Sequence, residues 1–135
     1  MREIKGHVVE GDAANHQVLV QVTDEPGQGG ANHRYLIAGF DTENNPSRDT
    51  FDKYSGRKWY EILFQNGPIK ESGVNGITDQ SLVALVIDRY RGFQRGQYAC
   101  DDNAEALAHL EAFMECSARR TKARIARGVE GTHEK

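Results

Sequence analysis

The sequence feature that most constrains the fold is a change of hydrophobic period at Gly73–Gly76. Before this segment, runs rich in β-branched and aromatic residues predict strands, whereas after it the apolar residues recur at helical spacing. The strands are predicted over residues 17–23, 34–38 and 58–64, with a fourth near residues 3–10. A chain that is extended first and helical afterwards predicts an α+β fold whose N-terminal part is an antiparallel β-sheet.

The helical part divides into two segments joined by a short connection. The first helix is predicted over residues 79–93 and the second over residues 103–127. Asp102 and Glu105 have the spacing of a capping box at the start of the second helix, and Gly128 stands where a left-handed residue ends it. The sequence therefore predicts a C-terminal two-helix antiparallel hairpin.

The same change of period suggests the domain organisation. We expect residues 1–72 to form the sheet region with long loops, and residues 73–135 to form the helical hairpin. A chain of 135 residues is expected to fold as one cooperative unit.

The distribution of charge favours some partners over others. The net charge of −3 disfavours duplex DNA and anionic membranes. Five acidic residues and no basic ones occupy residues 101–115, however, and five cations follow within residues 119–127. This pattern indicates a compact anionic partner. No apolar run is long enough for a membrane span and the N-terminus lacks the pattern of a signal peptide, so a cytoplasmic protein is expected.

Three arginines in the second helix are candidate phosphate ligands. Arg120, Arg124 and Arg127 lie four and three residues apart, so they project from one face of the helix about 6 Å from one another. Guanidinium groups form two-pronged hydrogen bonds with phosphate that lysine cannot copy. The alternative is a solvated helix end whose cations complement the helix dipole.

Two further candidates flank the connection between the helices. Phe93 ends the first helix among small and polar residues, where its ring could stack on a base or pack in the core. Asn103 opens the second helix, where its amide could contact a base edge or cap the helix.

The separation of these candidates predicts a site between subunits. Asn103 and Arg120 lie 17 positions apart on one helix, which corresponds to roughly 25 Å. One chain therefore cannot close both residues around one nucleotide. An antiparallel dimer would bring the tip of one hairpin beside the base of the other, forming two equivalent pockets.

No arrangement typical of catalysis is present in the sequence. The five histidines show no HExxH or HxH pairing, and no GxSxG segment occurs. Asp101 and Asp102 precede a helical run, where capping is a more frequent role than acid–base catalysis. We therefore expect a protein that is not an enzyme and that needs no metal or cofactor.

Four segments resemble the family of the first Thoeris anti-defence protein of phages, and the resemblance covers residues 33–132. The segments are residues 64–71, 73–78, 88–94 and 127–132. The resemblance implies a sponge that sequesters glycocyclic ADP-ribose, the signal made by bacterial TIR-domain enzymes, without cleaving it. It implies that some members also bind cyclic oligonucleotides of CBASS defence. It further implies action in the bacterial host cytosol during infection, by homodimers that can assemble into hexamers as trimers of dimers.

The same resemblance implies roles for individual residues. Phe93 matches the base-stacking aromatic residue, Asn103 a polar contact, and Arg120 and Arg124 the phosphate-binding arginines. Arg34 matches the arginine that the sheet domain supplies. The loop over residues 41–57 matches no segment of the family.

Three other functions fit parts of the pattern. The main alternative is a nucleic-acid-binding regulatory protein that uses the arginine-rich second helix, for which affinity should fall steeply with salt and depend on Arg119 and Lys122. An enzyme that degrades the cyclic signal should release a product. A purely structural oligomer should be indifferent to the replacement of Arg120.

Overall fold

The computed structural model describes residues 1–49 and 56–135. It divides into two compact units, Met1–Phe64 and Gln65–Lys135, which we call the sheet unit and the hairpin unit. All four strands lie in the first unit and both long helices in the second. The predicted α+β fold, an antiparallel sheet followed by a helical hairpin, is therefore confirmed.

The two units meet between Phe64 and Gln65. The short helix α2 (Ile69–Ser72) belongs to the hairpin unit. There the backbone N–H of Lys70 donates to the carbonyl oxygen of Gly131 at 3.4 Å. Within the loop expected over residues 41–57, residues 50–55 lie outside the described part of the chain.

The sheet is a four-stranded antiparallel meander in which each strand pairs with the preceding one. Its strands are β1 (Arg2–Ile4), β2 (Leu19–Val22), β3 (Arg34–Ala38) and β4 (Trp59–Leu63). A short helix, α1 (Ala13–Gln17), connects the first two strands. The fourth predicted strand, expected near residues 3–10, is thus the short β1.

The strand register separates the side chains into two faces, because successive residues of a strand point to opposite sides. Val22 lies opposite Tyr35, which lies opposite Ile62, so these three share one face. Val22 is 2% exposed, which identifies this as the buried face of the sheet. On the other face, Leu19 and Trp59 remain exposed.

Helix α3 (Asp79–Gln94) and helix α4 (Asp101–Ala126) form the hairpin. Thr78 caps α3 through a reciprocal pair of hydrogen bonds with Ser81, each 3.1 Å long. The predicted capping box of α4 is wrong, because Cys100 is the N-cap residue and its Sγ accepts from the backbone N–H of Asn103 at 3.4 Å.

The end of α4 follows the sequence-based prediction. Gly128 has a φ of +73°. Its N–H donates to the carbonyl of Ile125, and the next N–H, of Val129, donates to the carbonyl of Arg124, both at 3.0 Å. Two C-terminal carbonyls of the helix are satisfied in this way, and the chain turns back. No helix among the described residues is both long and apolar enough to cross a bilayer.

Asn75 connects the two turns on either side of α2, at residues 65–67 and 73–76. Its Oδ1 accepts from the backbone N–H of Asn66 at 2.9 Å, and its Nδ2 donates to the carbonyl of Asn66 at 2.6 Å. Its own N–H donates to Oε1 of Gln65 at 2.9 Å. The side chain of Asn75 therefore holds these turns together.

We expect Asn75→Ala to lower the free energy of unfolding by about 1 kcal/mol, because two side-chain hydrogen bonds are lost at an exposed position where water can replace them. Urea denaturation followed by circular dichroism measures the change. Val74→Ala is the matched control, since Val74 is 79% exposed and adjacent. Equal losses in the two variants would contradict this role of Asn75.

Candidate functional site

Arg120 is a candidate phosphate ligand with an accessible side chain. It lies on α4 and is exposed. Within residues 1–49 and 56–135, no hydrogen bond or ion pair occupies its guanidinium group. Its neighbour Arg119 instead donates to Sγ of Cys116 at 3.2 Å. Arg120 therefore presents a free, two-pronged set of donors that suits a phosphate group.

Arg124, one turn further along α4, is in a different environment. It is 8% exposed. Its Nε donates to the carboxylate of Glu130 at 2.8 Å, and its Nη2 donates to the carbonyls of Val129 at 3.0 Å and Thr132 at 3.3 Å. Its Nη1 donates to the carbonyl of Glu134. The guanidinium is thus bound by residues 128–134, which we call the C-terminal strap.

The C-terminal strap also contacts α2. Besides the hydrogen bond from Lys70 to the carbonyl of Gly131, Nε2 of His133 lies 3.7 Å from a carboxylate oxygen of Glu71. Gly131 has a φ of +80°, a conformation that residues with a Cβ rarely adopt. The strap therefore contacts α4, the helix that precedes it, and also α2, which lies near the start of the hairpin unit.

The third arginine is also bound by the end of the chain. Nη1 of Arg127 donates to the carbonyl of Lys135 at 2.5 Å. Of the three arginines that the spacing places on one helix face, only Arg120 is both exposed and without a hydrogen bond or ion pair to any described residue. Arg124 and Arg127 are hydrogen-bonded because the chain beyond Gly128 turns back over the helix.

Phe93 and Asn103 flank the tip of the hairpin. The half-buried ring of Phe93 packs edge-on against Tyr90, with centroids 5.6 Å apart, and the guanidinium of Arg89 lies 5.5 Å from its centroid. Nδ2 of Asn103 donates to the carbonyl of Tyr98 at 3.1 Å. Its Oδ1 has no hydrogen-bond donor in the described part of the chain. The hairpin thus brings Phe93 and Asn103 to one end.

Arg34, in β3, belongs to the sheet unit. Its Nε donates to Oγ1 of Thr23 at 2.9 Å and its Nη2 donates to the carbonyl of Thr23 at 2.5 Å. These bonds orient an exposed guanidinium whose Nη1 has no bond to any residue the structure describes. Arg34 is therefore available to a ligand from a fixed position on the sheet unit.

Asp24 organises the turn that leads into Arg34. Burial raises the pKa of Asp24, but hydrogen bonds from the backbone N–H of His33 and from Nδ2 of Asn32 outweigh it, so the net pKa is below the ordinary value. Asn32 also donates to the carbonyl of Asp24 at 2.8 Å. The ionised form of Asp24 therefore stabilises this turn.

The contribution of Asp24 to stability should depend on pH. A carboxyl whose folded pKa is lowered stabilises the protein above its ordinary, unfolded pKa of 3.8, and the contribution is lost as pH falls through the folded pKa. The stability difference between the wild type and Asp24→Asn should therefore be largest near pH 6 and shrink towards pH 3. Urea denaturation at both pH values measures it, and a difference that grows on acidification would contradict the assignment.

Glu130 and the C-terminal strap were missed by sequence reasoning. The available signal was the pair of glycines at positions 128 and 131, with one carboxylate between them beside a cationic helix end. In residues 1–49 and 56–135, no three His, Cys, Asp or Glu side chains come together as a metal site requires.

Fold and site together define a small α+β protein whose helical hairpin presents arginines at its base and an aromatic–amide pair at its tip. Residues 60–121 match the family model described as the Acb2/Tad1 hairpin domain. Thoeris anti-defense 1 of Bacillus phage SBSphiJ7 is 41% identical over 91 residues, which are 67% of this chain and 63% of that protein. The chain is a relative of Thoeris anti-defense 1, and the resemblance predicted from its sequence is confirmed. The match spans a little less than two thirds of the relative's length.

Proposed function

We propose that this chain is a phage anti-defence protein that binds and sequesters a cyclic nucleotide immune signal without cleaving it. Glycocyclic ADP-ribose is the proposed ligand, with cyclic oligonucleotides of CBASS defence as a further class. The observation that carries the proposal is the exposed Arg120, which has no partner among the described residues, on a hairpin that is similar to that of Thoeris anti-defense 1. Arg34, Phe93, Asn103 and Arg124 are the other proposed ligand contacts.

The chemistry of these side chains suits a nucleotide that carries adjacent phosphates. Arginine binds phosphate through charge-assisted, two-pronged hydrogen bonds. An aromatic ring such as that of Phe93 can stack on a base. Oδ1 of Asn103, which accepts no hydrogen bond from the described residues, can accept from an exocyclic amine. None of these interactions cleaves a bond, so the proposed role is to hold the ligand intact.

The geometry of the hairpin supports pockets between subunits. Asn103 and Arg120 both lie in α4, roughly 25 Å apart along its axis. A nucleotide cannot span that distance, whereas an antiparallel dimer would place the tip of one hairpin beside the base of its partner. We propose homodimers of this kind, which can assemble further into hexamers as trimers of dimers.

Exposed apolar side chains on the hairpin support this association. Leu85 on α3 is 64% exposed and Ile125 on α4 is 60% exposed. Among the described residues, only Val22 and Ile87 are both apolar and buried. A chain of this size ordinarily buries more apolar surface than this. A dimer that covered Leu85 and Ile125 would remove their apolar surface from water.

One experiment tests binding and cleavage together. The purified protein is incubated with glycocyclic ADP-ribose, unbound ligand is removed by filtration, the protein is denatured by heat, and the released molecule is identified by chromatography. Intact ligand recovered with the protein is the expected result. Ligand that stays in the filtrate would exclude this signal and turn the test to cyclic oligonucleotides, whereas a cleaved product would overturn sequestration in favour of an enzyme.

A further inference from the structure

The C-terminal strap offers Arg124 the same chemistry that a phosphate group would. A guanidinium group has five N–H donors. The side chain of Arg124 donates four hydrogen bonds to the strap, one to the Glu130 carboxylate and three to backbone carbonyls. A phosphate would likewise supply an anionic oxygen and further acceptors. Arg124 is therefore already bound by an internal anion and its neighbouring carbonyls.

The burial of Arg124 prevents a ligand from reaching it while the strap is in place. Arg124 is 8% exposed, whereas Arg120, one turn earlier on the same helix, is exposed and has no hydrogen bond or ion pair with any described residue. The two arginines have the same proposed role, but Arg120 is accessible to a ligand and Arg124 is covered by the strap. A ligand that contacts both must first meet Arg120 and then take the place of the strap at Arg124.

The remaining contacts of the strap are weaker than its contacts with Arg124. The hydrogen bond from Lys70 to Gly131 is 3.4 Å long. Nε2 of His133 lies 3.7 Å from the Glu71 carboxylate, and the two side chains are 50% and 69% exposed, so solvent competes with this contact. Gly128 and Gly131, both at positive φ, allow the backbone on either side of Glu130 to change conformation.

We infer that the C-terminal strap is a built-in competitor for the anion site: Glu130 and the strap carbonyls occupy Arg124 in the free protein, and a phosphate-bearing ligand must displace them. This inference rests on the function proposed above, since it concerns the same site. Only molecules in which the strap has left Arg124 can bind the ligand there, so the apparent affinity is proportional to the fraction of such open molecules. It also selects for ligands whose charge exceeds that of a carboxylate, such as pyrophosphate groups, over uncharged nucleosides.

Weakening the strap should therefore tighten binding. Glu130→Gln keeps the shape and an acceptor but removes the charge from the hydrogen bond, so we expect the full-length variant to bind glycocyclic ADP-ribose about fivefold more tightly by calorimetry. Glu115→Gln removes the same charge from the exposed surface of α4 and should stay within about twofold of the wild type. Affinity that is unchanged or weaker in Glu130→Gln would overturn the inference.

A second variant weakens the strap without altering the charged partner of Arg124. Gly131→Ala introduces a Cβ at a φ of +80°, which strains the closed backbone. We expect it also to bind the ligand about fivefold more tightly. Weaker binding by this variant would mean that the closed strap forms part of the binding site and would overturn the inference.

Inorganic pyrophosphate separates a failure of this inference from a failure of the proposed function. If no variant binds glycocyclic ADP-ribose, the proposed ligand is wrong, and the strap is judged by hydrogen exchange at the amide of Lys70, which the closed strap protects. Pyrophosphate should speed this exchange, at about fivefold lower concentration in Glu130→Gln than in the wild type. Exchange that saturating pyrophosphate leaves unchanged would overturn the inference.

Discussion

Arg120→Ala is expected to weaken the binding of glycocyclic ADP-ribose by about 100-fold, because it removes a charge-assisted, two-pronged contact with phosphate. The guanidinium has no hydrogen bond or ion pair with the described residues, so its removal breaks no bond among them. Isothermal titration calorimetry measures the affinity, and chemical denaturation should show the free energy of unfolding unchanged within about 0.5 kcal/mol.

Lys122→Ala is the matched control for this loss. Lys122 is an exposed cation on the same helix, so its replacement changes the net charge equally. We expect less than about a threefold loss of affinity in this variant, since only screened long-range attraction is removed. Comparable losses from Lys122 and Arg120, together with an affinity that falls steeply with salt, would contradict a defined phosphate contact and favour the nucleic-acid-binding alternative.

Unlike Arg120→Ala, Arg124→Ala is expected to have a large cost in stability. Its removal deletes four hydrogen bonds and leaves the Glu130 carboxylate, which is 37% exposed, without its partner. We expect the free energy of unfolding to fall by about 3 kcal/mol. Urea denaturation of the full chain measures the change, and faster exchange at the amide of Thr132 would locate it in the strap.

Arg124→Lys provides the control for charge alone. Lysine keeps the positive charge but cannot reproduce the planar fork that reaches a carboxylate and three carbonyls. We therefore expect it to recover less than half of the lost stability. A full recovery would show that charge, and not the fork geometry, holds the strap. A loss below about 1 kcal/mol in Arg124→Ala would mean that the strap contributes little to folding.

The strands and helices were predictable because each is encoded by a local pattern. Alternating apolar residues and the β-branched run around Val20 indicate strands, and apolar residues at helical spacing from Leu82 onwards indicate α3. The turn at Gly128 was predictable for the same reason, since a left-handed position favours glycine. The cap of α4 was not, because Asp102 and Cys100 are both near the helix start and only the backbone geometry selects between them.

The sequence was sufficient to predict which side chains belong to the candidate site. It was not sufficient to predict which of them are exposed and which are buried by other residues. Helical spacing alone places Arg120 and Arg124 on one face of α4. It does not indicate that the guanidinium of Arg120 is exposed and that of Arg124 is buried. That difference depends on contacts of Arg124 with Glu130 and the strap carbonyls, which follow the helix in the sequence but return to it only after the turn at Gly128.

The sequence by itself determined the order of sheet and hairpin, the approximate ends of the two long helices and the helix that carries the arginines. These properties depend on residues within a few positions of one another, so the pattern of residue types is sufficient. Only the tertiary structure decided which arginine is available to a ligand. The fold of the strap depends on hydrogen bonds that connect α4 and α2 with the C-terminal residues, including the bond from Lys70 to Gly131. No local pattern encodes such a bond, because its partners lie far apart in the chain and meet only when the hairpin unit folds.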